Sequence, residues 1–391
     1  MNAKHSLHKA QYRQRRQRRG AVAVYVAVCG VVIIGFAALA VDIGMLYSAQ
    51  AEMQRCADAA ALASTNALLS EDRIFGDLYM QALEQDARQA GSFVAGANVV
   101  LGDSPVLNQD EIQVGYLSDL SYGAPKTLTS SAPANASAIT VQRNATHGGS
   151  IALYFARIFG ADSKDLSAHA MAAFQDGIVG YKVTEHTGNA ELLPFTLQVD
   201  YWNGLLAGTH TCGDHYSYDP DTGVVSPGPD GILEINLYPG AGANQLPPGN
   251  FGTVDIGSPN NSTADLSRQI LYGVNEADLA WFGGELKLGA DGTLILNGDT
   301  GLSAGVKDEL EAIKGQPRAI PIYSTVAGPG NNAMFTIVKF AGIRIMNVKL
   351  TGKMSSKEVI IQPAVVIDDA VIADAGPGPS DYVYSPVKLV E

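Results

Sequence analysis

The chain has no carboxylate before Asp42. Its first 20 residues hold seven of the 26 Lys and Arg side chains and none of the 39 Asp and Glu. From Gly20 to Val41 there is no charge of either sign. The excess of acid therefore lies wholly in the remainder, which argues against nucleic-acid binding. Cysteine is scarce too. Three residues are too few for a disulfide framework, and Cys29 falls inside the uncharged run. Only Cys56 and Cys212 are placed to pair, and spacing alone does not show that they meet. There is no phosphate-binding loop, no G-x-G-x-x-G after a strand, no H-E-x-x-H and no C-x-x-C pair. Glu185 and His186 are adjacent, so on a strand they point to opposite faces and make a poor catalytic pair. No repeat of 20–50 residues is present.

The uncharged run is long enough to cross a bilayer. About 21 residues at 1.5 Å each give on the order of 31 Å, the hydrocarbon thickness. Its basic flank predicts an N-terminus in the cytoplasm and a C-terminus outside. Ala38-Leu39-Ala40 is an A-x-A site, yet the run exceeds a usual signal-peptide core and its helical pattern continues past the site. A prepilin leader resembles Gly followed by an apolar helix with Glu at the fifth position, where Tyr25 follows Gly20. The pairs Arg15-Arg16 and Arg18-Arg19 lack the flanks of a twin-arginine signal. An uncleaved single-pass anchor is the expectation. Asp42, at the outer edge of the run, reads as a hydrated interface marker, because deeper placement of a carboxylate is costly.

Beyond Asp42 there is no Pro and no Gly from Met45 to Phe75. Ala49, Ala51, Ala57, Ala59, Ala60, Ala61, Ala63 and Ala67 are strong helix formers. Met45, Met53, Ala57, Ala60 and Ala61 fall near one face. Such a face of small residues fits close backbone approach, either within a packed fold or in an assembly stalk that makes a homo-oligomer.

Residues 18–68 resemble the N-terminal region of TadG-like Flp (tight-adherence) pilus-assembly proteins. That pattern is a basic residue and Gly, an apolar span, A-V-D-x-G, then a helix with L/M-Q-x-A-A-D-A-A-A-L-A. The matching residues are Arg19, Gly20, Ala40, Val41, Asp42, Gly44, Met53, Gln54, Ala57, Asp58, Ala59, Ala60, Ala61, Leu62 and Ala63. Cys56 stands where a small residue is usual. The resemblance implies a bacterial inner-membrane protein with its C-terminal domain periplasmic or extracellular, whose partners are other Tad/Flp pilus or secretion proteins. Many such proteins carry a von Willebrand A domain, whose metal site resembles D-x-S-x-S; no such pentapeptide occurs here.

Along the rest of the chain, residues 74–91 form an amphipathic helix with Leu78, Ala82, Leu83 and Ala87 on one side and a stop at Gly91. Strands are expected at 112–117 and 138–143, with a Ser/Ala/Pro/Thr-rich loop at 118–137. A helix to Phe159, a stop at Gly160 and a strand fill 150–174. The second half is β-type. Strands are expected at 178–183, 195–201, 232–237, 252–256, 293–296, 320–325, 334–340, 343–350 and 359–367, with a tight hairpin at 340–343. Helices are expected at 263–272, capped by Thr263, and at 303–314. The fold class is therefore α+β: one transmembrane helix continuing into a helical stalk, then a β-rich extracytoplasmic domain. The divisions are 1–20 basic tail, 21–41 span, 42–91 stalk, 92–176 α+β segment, 177–374 β-rich domain and 375–391 loose tail.

Residues 209–223 hold the densest polar cluster. His210, Cys212 and His215, with Asp214 beside them, have types that suit a transition metal, and Asp219, Asp221 and Asp230 resemble part of a calcium loop. A calcium loop needs a further ligand and a late glutamate that are missing, so calcium is the single cofactor weighed and acidic turn chemistry is its rival. Sequons at Asn135, Asn144 and Asn261 read as polar loop residues in a bacterial setting. The reading is a non-enzymatic, membrane-anchored assembly component of a Flp/Tad-type pilus or related secretion apparatus. The alternative is a membrane-tethered surface-binding or adhesion module, calcium-dependent if the acidic loop takes metal. An anchored hydrolase using His210, Cys212 and His215 is a third.

Overall fold

The computed structural model describes residues 3–238, 251–257, 262–301, 304–328, 330–353, 356–376 and 378–390. The hairpin, helix and strand expectations are judged on these; Asn261 and Ser303 lie outside them.

One helix, Ala3–Ala67, runs without interruption for 65 residues. Its middle stretch, from residue 22 to 41, is apolar and bare: Val22, Val26, Ile33, Ile34 and Phe36 are all exposed. Among the described residues this is the one helix long and apolar enough to cross a membrane. From Ala49 onward the same helix is packed. Met53, Cys56, Ala57, Ala60, Ala61, Ser64 and Thr65 are buried, spaced three or four apart or adjacent, which is one helical face.

The helical segment read over 42–91 is two helices. Ser70 caps a 3-10 turn, Glu71–Phe75, by accepting a hydrogen bond from the Asp72 N–H, and Gly76 at φ 63° turns the chain back. The second helix, Asp77–Ala97, then returns antiparallel to the first. Gly91 does not stop it. Gly91 lies where the helices are closest: a Cβ there would stand 3.1 Å from Ser64 Cβ and 3.4 Å from the Ala60 carbonyl oxygen. Leu83 and Ala87 face inward as expected, but Leu78 is 89% exposed.

This helical hairpin lies on an antiparallel four-stranded sheet in the order Ile112–Gly115, Ala136–Arg143, Leu166–Ala173, Lys388–Leu389. The third strand reads LSAHAMAA. Ala168, Ala170 and Ala172 share one cluster with Met53, Ala57 and Ala60, while Met171 and Ala173 join Leu117 and Ala138 in another. Both faces of the strand are therefore covered, and small side chains let the helix come close. Gln50 and Gln54 amide groups donate to the carbonyls of Ser167 and His169 at 2.9 Å, and the Thr65 hydroxyl donates to that of Ala172. The small-residue face is thus occupied by the chain's own sheet and second helix, which removes it as an oligomer surface.

Between these strands the expected helix at 150–159 is a two-stranded ladder, Ile151–Ala152 with Ser163–Lys164, enclosing a 3-10 turn Ala156–Phe159. Gly160, left-handed at φ 85°, ends the turn as expected.

The β-rich part is built on seven strands in the order Ile235–Asn236, Glu358–Pro363, Ala333–Lys349, Leu294–Asp299, Phe251–Val254, Phe195–Gln198, Pro317–Ala327. Because Pro317–Ala327 also pairs with Ala333–Lys349, five of the strands close into a ring. The 17-residue strand Ala333–Lys349 replaces the two strands and hairpin expected around 340–343. Gly342 serves close approach instead of a turn. A Cβ there would meet the Ala364 and Tyr382 carbonyl oxygens at 2.3 and 2.6 Å. The strand expected over 195–201 ends at Gln198, whose side chain caps a helix, Val199–Leu206. Helix Thr263–Tyr272 has the expected span, but its cap is Ser262 rather than Thr263. The helix expected at 303–314 is a 3-10 turn, Ala304–Val306, running into a short helix, Lys307–Ala312. Trp202, Leu205, Leu266, Ile270 and Leu310 from these helices pack with Leu197, Ile322, Ile343 and Ile345 of the strands.

Residues 375–391 are not loose. Asp381 accepts a 2.7 Å hydrogen bond from the Trp202 indole and pairs with Lys339. Val383–Tyr384 pairs with Val366–Ile367, and Lys388–Leu389 completes the helix-backed sheet. The turn after the long helix makes the second tie. Arg73 donates to the Leu68 and Ala134 carbonyls and to the Tyr384 hydroxyl, with its guanidinium over the Phe174 and Tyr384 rings. Glu71 pairs at 2.7 Å with Arg344, which is 2% exposed, stacks 3.5 Å from the Tyr218 ring centre and donates to the Gly315 carbonyl.

Two outcomes follow for stability. Glu71→Ala leaves a buried guanidinium without its counter-charge and is expected to cost about 2 kcal/mol, reduced from a fully buried pair because Glu71 is partly solvated. Denaturant melts of the full chain in detergent check this, and adding Arg344→Met is expected to recover part of the loss. The second concerns pH. Burial pushes the Asp368 carboxyl from 3.8 up to about 6, against the Ala370 and Glu191 N–H groups that donate to it. The folded chain then holds a proton that the unfolded chain has released. Stability is expected to fall by of order 1–3 kcal/mol as pH rises from about 4 to about 6, and to level off above. Asp368→Asn flattens that slope.

Candidate functional site at the end of the apolar segment

The helix brings Asp42 to the last turn before its packed part. Helical Cα–Cβ bonds tilt toward the N-terminus, so the carboxylate leans back toward the apolar segment. It is not hydrated there. Asp42 is 2% exposed and accepts three hydrogen bonds from consecutive backbone N–H groups: Tyr154 at 2.9 Å, Phe155 at 2.9 Å and Ala156 at 2.7 Å. These are the orphan donors at the start of the Ala156–Phe159 turn. A side chain 112 residues away thus does the work of a local cap, with charge-assisted bonds. The expectation of a solvated interface marker is corrected accordingly. The signal missing from the sequence is the partner, since nothing in 150–160 announces an acceptor-seeking turn.

The loop held in this way presents Tyr154, Phe155, Ile158 and Phe159 to the outside; Ile158 is 77% and Phe159 81% exposed. Arg157, within the same turn, donates to the Leu153 carbonyl. Farther up the helix Glu52 accepts from the Leu101 N–H at 2.7 Å, a second long-range clasp of the same kind.

The family-motif residues divide by height. Arg19 and Gly20 lie in the helix before the apolar run. Ala40, Val41 and Gly44 are exposed. Asp42, Met53, Ala57, Ala60 and Ala61 are buried, Leu62 packs at their edge, and Ala59 and Ala63 are half-buried. Gln54 bridges Asp58 and the His169 carbonyl. The buried ones from Met53 onward seat the helix on its sheet.

The metal candidates are placed otherwise. His215 Nε2 lies 2.8 Å from the Cys212 carbonyl oxygen, and the His210 ring packs on Tyr201. Burial, with the Glu234 carboxylate nearby, pushes the Cys212 thiol up to about 12. Asp214 accepts from the Asp230 and Gly231 N–H groups. Asp219 accepts from Asp221 N–H and the Thr222 hydroxyl, and Asp230 from Tyr218 and Ile232 N–H. These carboxylates fix the hairpin Tyr216–Asp219 with Val224–Pro227. Among the described residues no three His, Cys, Asp or Glu side chains gather as a metal site. All three cysteines are free, and Cys56 is buried with its thiol directed at the Ala95 carbonyl.

What the geometry defines is a helix-and-sheet module carried at the end of an apolar helix. Residues 20–67 match the Flp pilus-assembly TadE/G-like family, and residues 46–172 match the Tad-like Flp pilus-assembly family. The resemblance carried by the N-terminal motif stands, and the second match extends it through the second helix to the alanine strand. No curated protein and no solved structure matches the chain.

Asp42→Ala is expected to free the 153–160 loop. Trypsin cleavage after Arg157 in the full chain is expected to become faster, while the far-ultraviolet spectrum stays that of the parent. An unchanged cleavage rate counts against the cap.

Proposed function

We propose that this chain is a membrane-anchored structural component of a Flp/Tad-type pilus assembly or a related secretion apparatus. The observation that carries the reading is the pair of pilus-assembly family matches over residues 20–172. The bare apolar stretch of the long helix supports an anchor, and the basic residues before it support a cytoplasmic N-terminus. On that reading everything beyond Asp42 stands outside the bacterial inner membrane. The helix-backed sheet is a platform fixed at the outer surface, and the β-rich part is held above it through the Glu71–Arg344 and Arg73–Tyr384 contacts. The work is positioning and contact with other pilus components, not catalysis.

In a bacterium that makes Flp pili, deletion of the gene is expected to abolish surface fibres, with the membrane fraction still containing pilin. Re-expression of the full chain restores them, whereas a chain lacking residues 177–391 does not. Normal fibres in the deletion strain would remove the assembly role.

A further inference from the structure

The loop clasped by Asp42 has a property that the assembly role does not use. Of its six residues from Tyr154 to Phe159, four are large, apolar or aromatic, and exposed. In a water-facing turn that composition is disfavoured, and the chain has spent a buried carboxylate to hold it in place. Its position explains the choice. The backbone of residues 154–156 lies within hydrogen-bond distance of Asp42, directly after the apolar segment ends at Val41. The Asp42 side chain leans toward that segment, so the loop sits at the level where the span meets water. Tyr and Phe rings beside an arginine suit the lipid headgroup layer, where aromatic bodies bury and cationic tips stay wet. Lys164, exposed on the adjoining ladder, adds a second cation, although Asp162 and Asp165 stand near it.

We propose that residues 154–159 form a foot that inserts Tyr154, Phe155, Ile158 and Phe159 into the outer headgroup layer beside the span. The occupant is the lipid surface. The argument is continuity: the exposed apolar rows of the helix run up to Asp42, and Asp42 joins them to the loop. The foot gives the module a second point of attachment, which fixes its rotation and tilt about the long helix in a way that one span does not. This inference rests on the anchor reading above.

The test places a nitroxide at Phe159→Cys in the full chain, with Cys29→Ser and Cys212→Ser, leaving buried Cys56. The protein is reconstituted in vesicles of phosphatidylcholine and phosphatidylglycerol. Reference labels sit at Ile33→Cys in the apolar segment and at Tyr122→Cys, a fully exposed loop residue. Collision with oxygen and with a water-soluble nickel chelate is measured at each. The label at 159 is expected to have an oxygen-to-chelate ratio clearly above that at 122 and below that at 33, as a site at the headgroup level requires. Adding Asp42→Ala is expected to bring the ratio at 159 down toward that at 122. If 33 is oxygen-rich while 159 matches 122, the foot is excluded and the span stands. If 33 itself meets the chelate, the span fails, and the foot with it. A label at 159 shielded from both probes until the protein is diluted with lipid means a protein contact, which overturns the lipid assignment.

Discussion

The structure depends on one constraint: one long helix must be covered on its inner face from Ala49 to Ala67 and is bare over its apolar stretch, residues 22–41. Alanine makes the covering possible. On the helix Ala57, Ala60 and Ala61 leave a shallow surface, and Ala168, Ala170 and Ala172 on the central strand leave another. Two shallow surfaces approach closely, so backbone carbonyls of the strand come within reach of Gln50, Gln54 and Thr65. The polar contacts are then a consequence of the small side chains. Gly91 extends the same logic to the second helix, which could not lie so near Ser64 with a side chain there. The bare stretch has no such partner, and its Val, Ile and Phe side chains are suited to a solvent other than water.

Asp42 marks the change between these regimes, and its chemistry differs from what position alone suggests. A carboxylate at the end of an apolar run is ordinarily kept in water. Here three backbone N–H groups replace the water, which removes most of the cost of burial and fixes a loop in return. The same exchange recurs at Glu52 with Leu101 and in the hairpin beyond residue 214. In the acidic loop at 214–231, readable as a calcium site, the Asp214, Asp219 and Asp230 carboxylates likewise accept from main-chain N–H groups.

The parts legible in the sequence were those with local causes. Charge exclusion marks the apolar run, alanine content marks the helix, and β-branched runs mark strands such as Ala136–Arg143 and Phe251–Val254. What was illegible depended on distance in sequence. Gly342 reads as a turn, since a glycine between two apolar runs usually is one; it is in fact the crossing point of two backbones contributed by residues 364 and 382. The C-terminal tail reads as loose from its Pro and Gly, yet its few apolar residues are matched to a vacant edge of a sheet some 200 residues earlier. Asp42 itself was found by the motif, but its role was not, because its partners are amide groups that every residue possesses.

Glu71 and Arg73 carry the argument from the helix to the rest of the chain. They sit on a turn of five residues between two helices, and each reaches a different element of the β-rich part. Arg344 receives Glu71 from the longest strand, where it is also held by Tyr218 and Gly315. Tyr384 receives Arg73 from the segment that returns to the helix-backed sheet. A tilt of the long helix therefore moves a turn whose charges are locked to both the ring of strands and the closing strand. With the packed part of the helix and the closing strand Lys388–Leu389 on one sheet and this turn pinned above it, the helix and the β-rich part are tied to each other at more than one point.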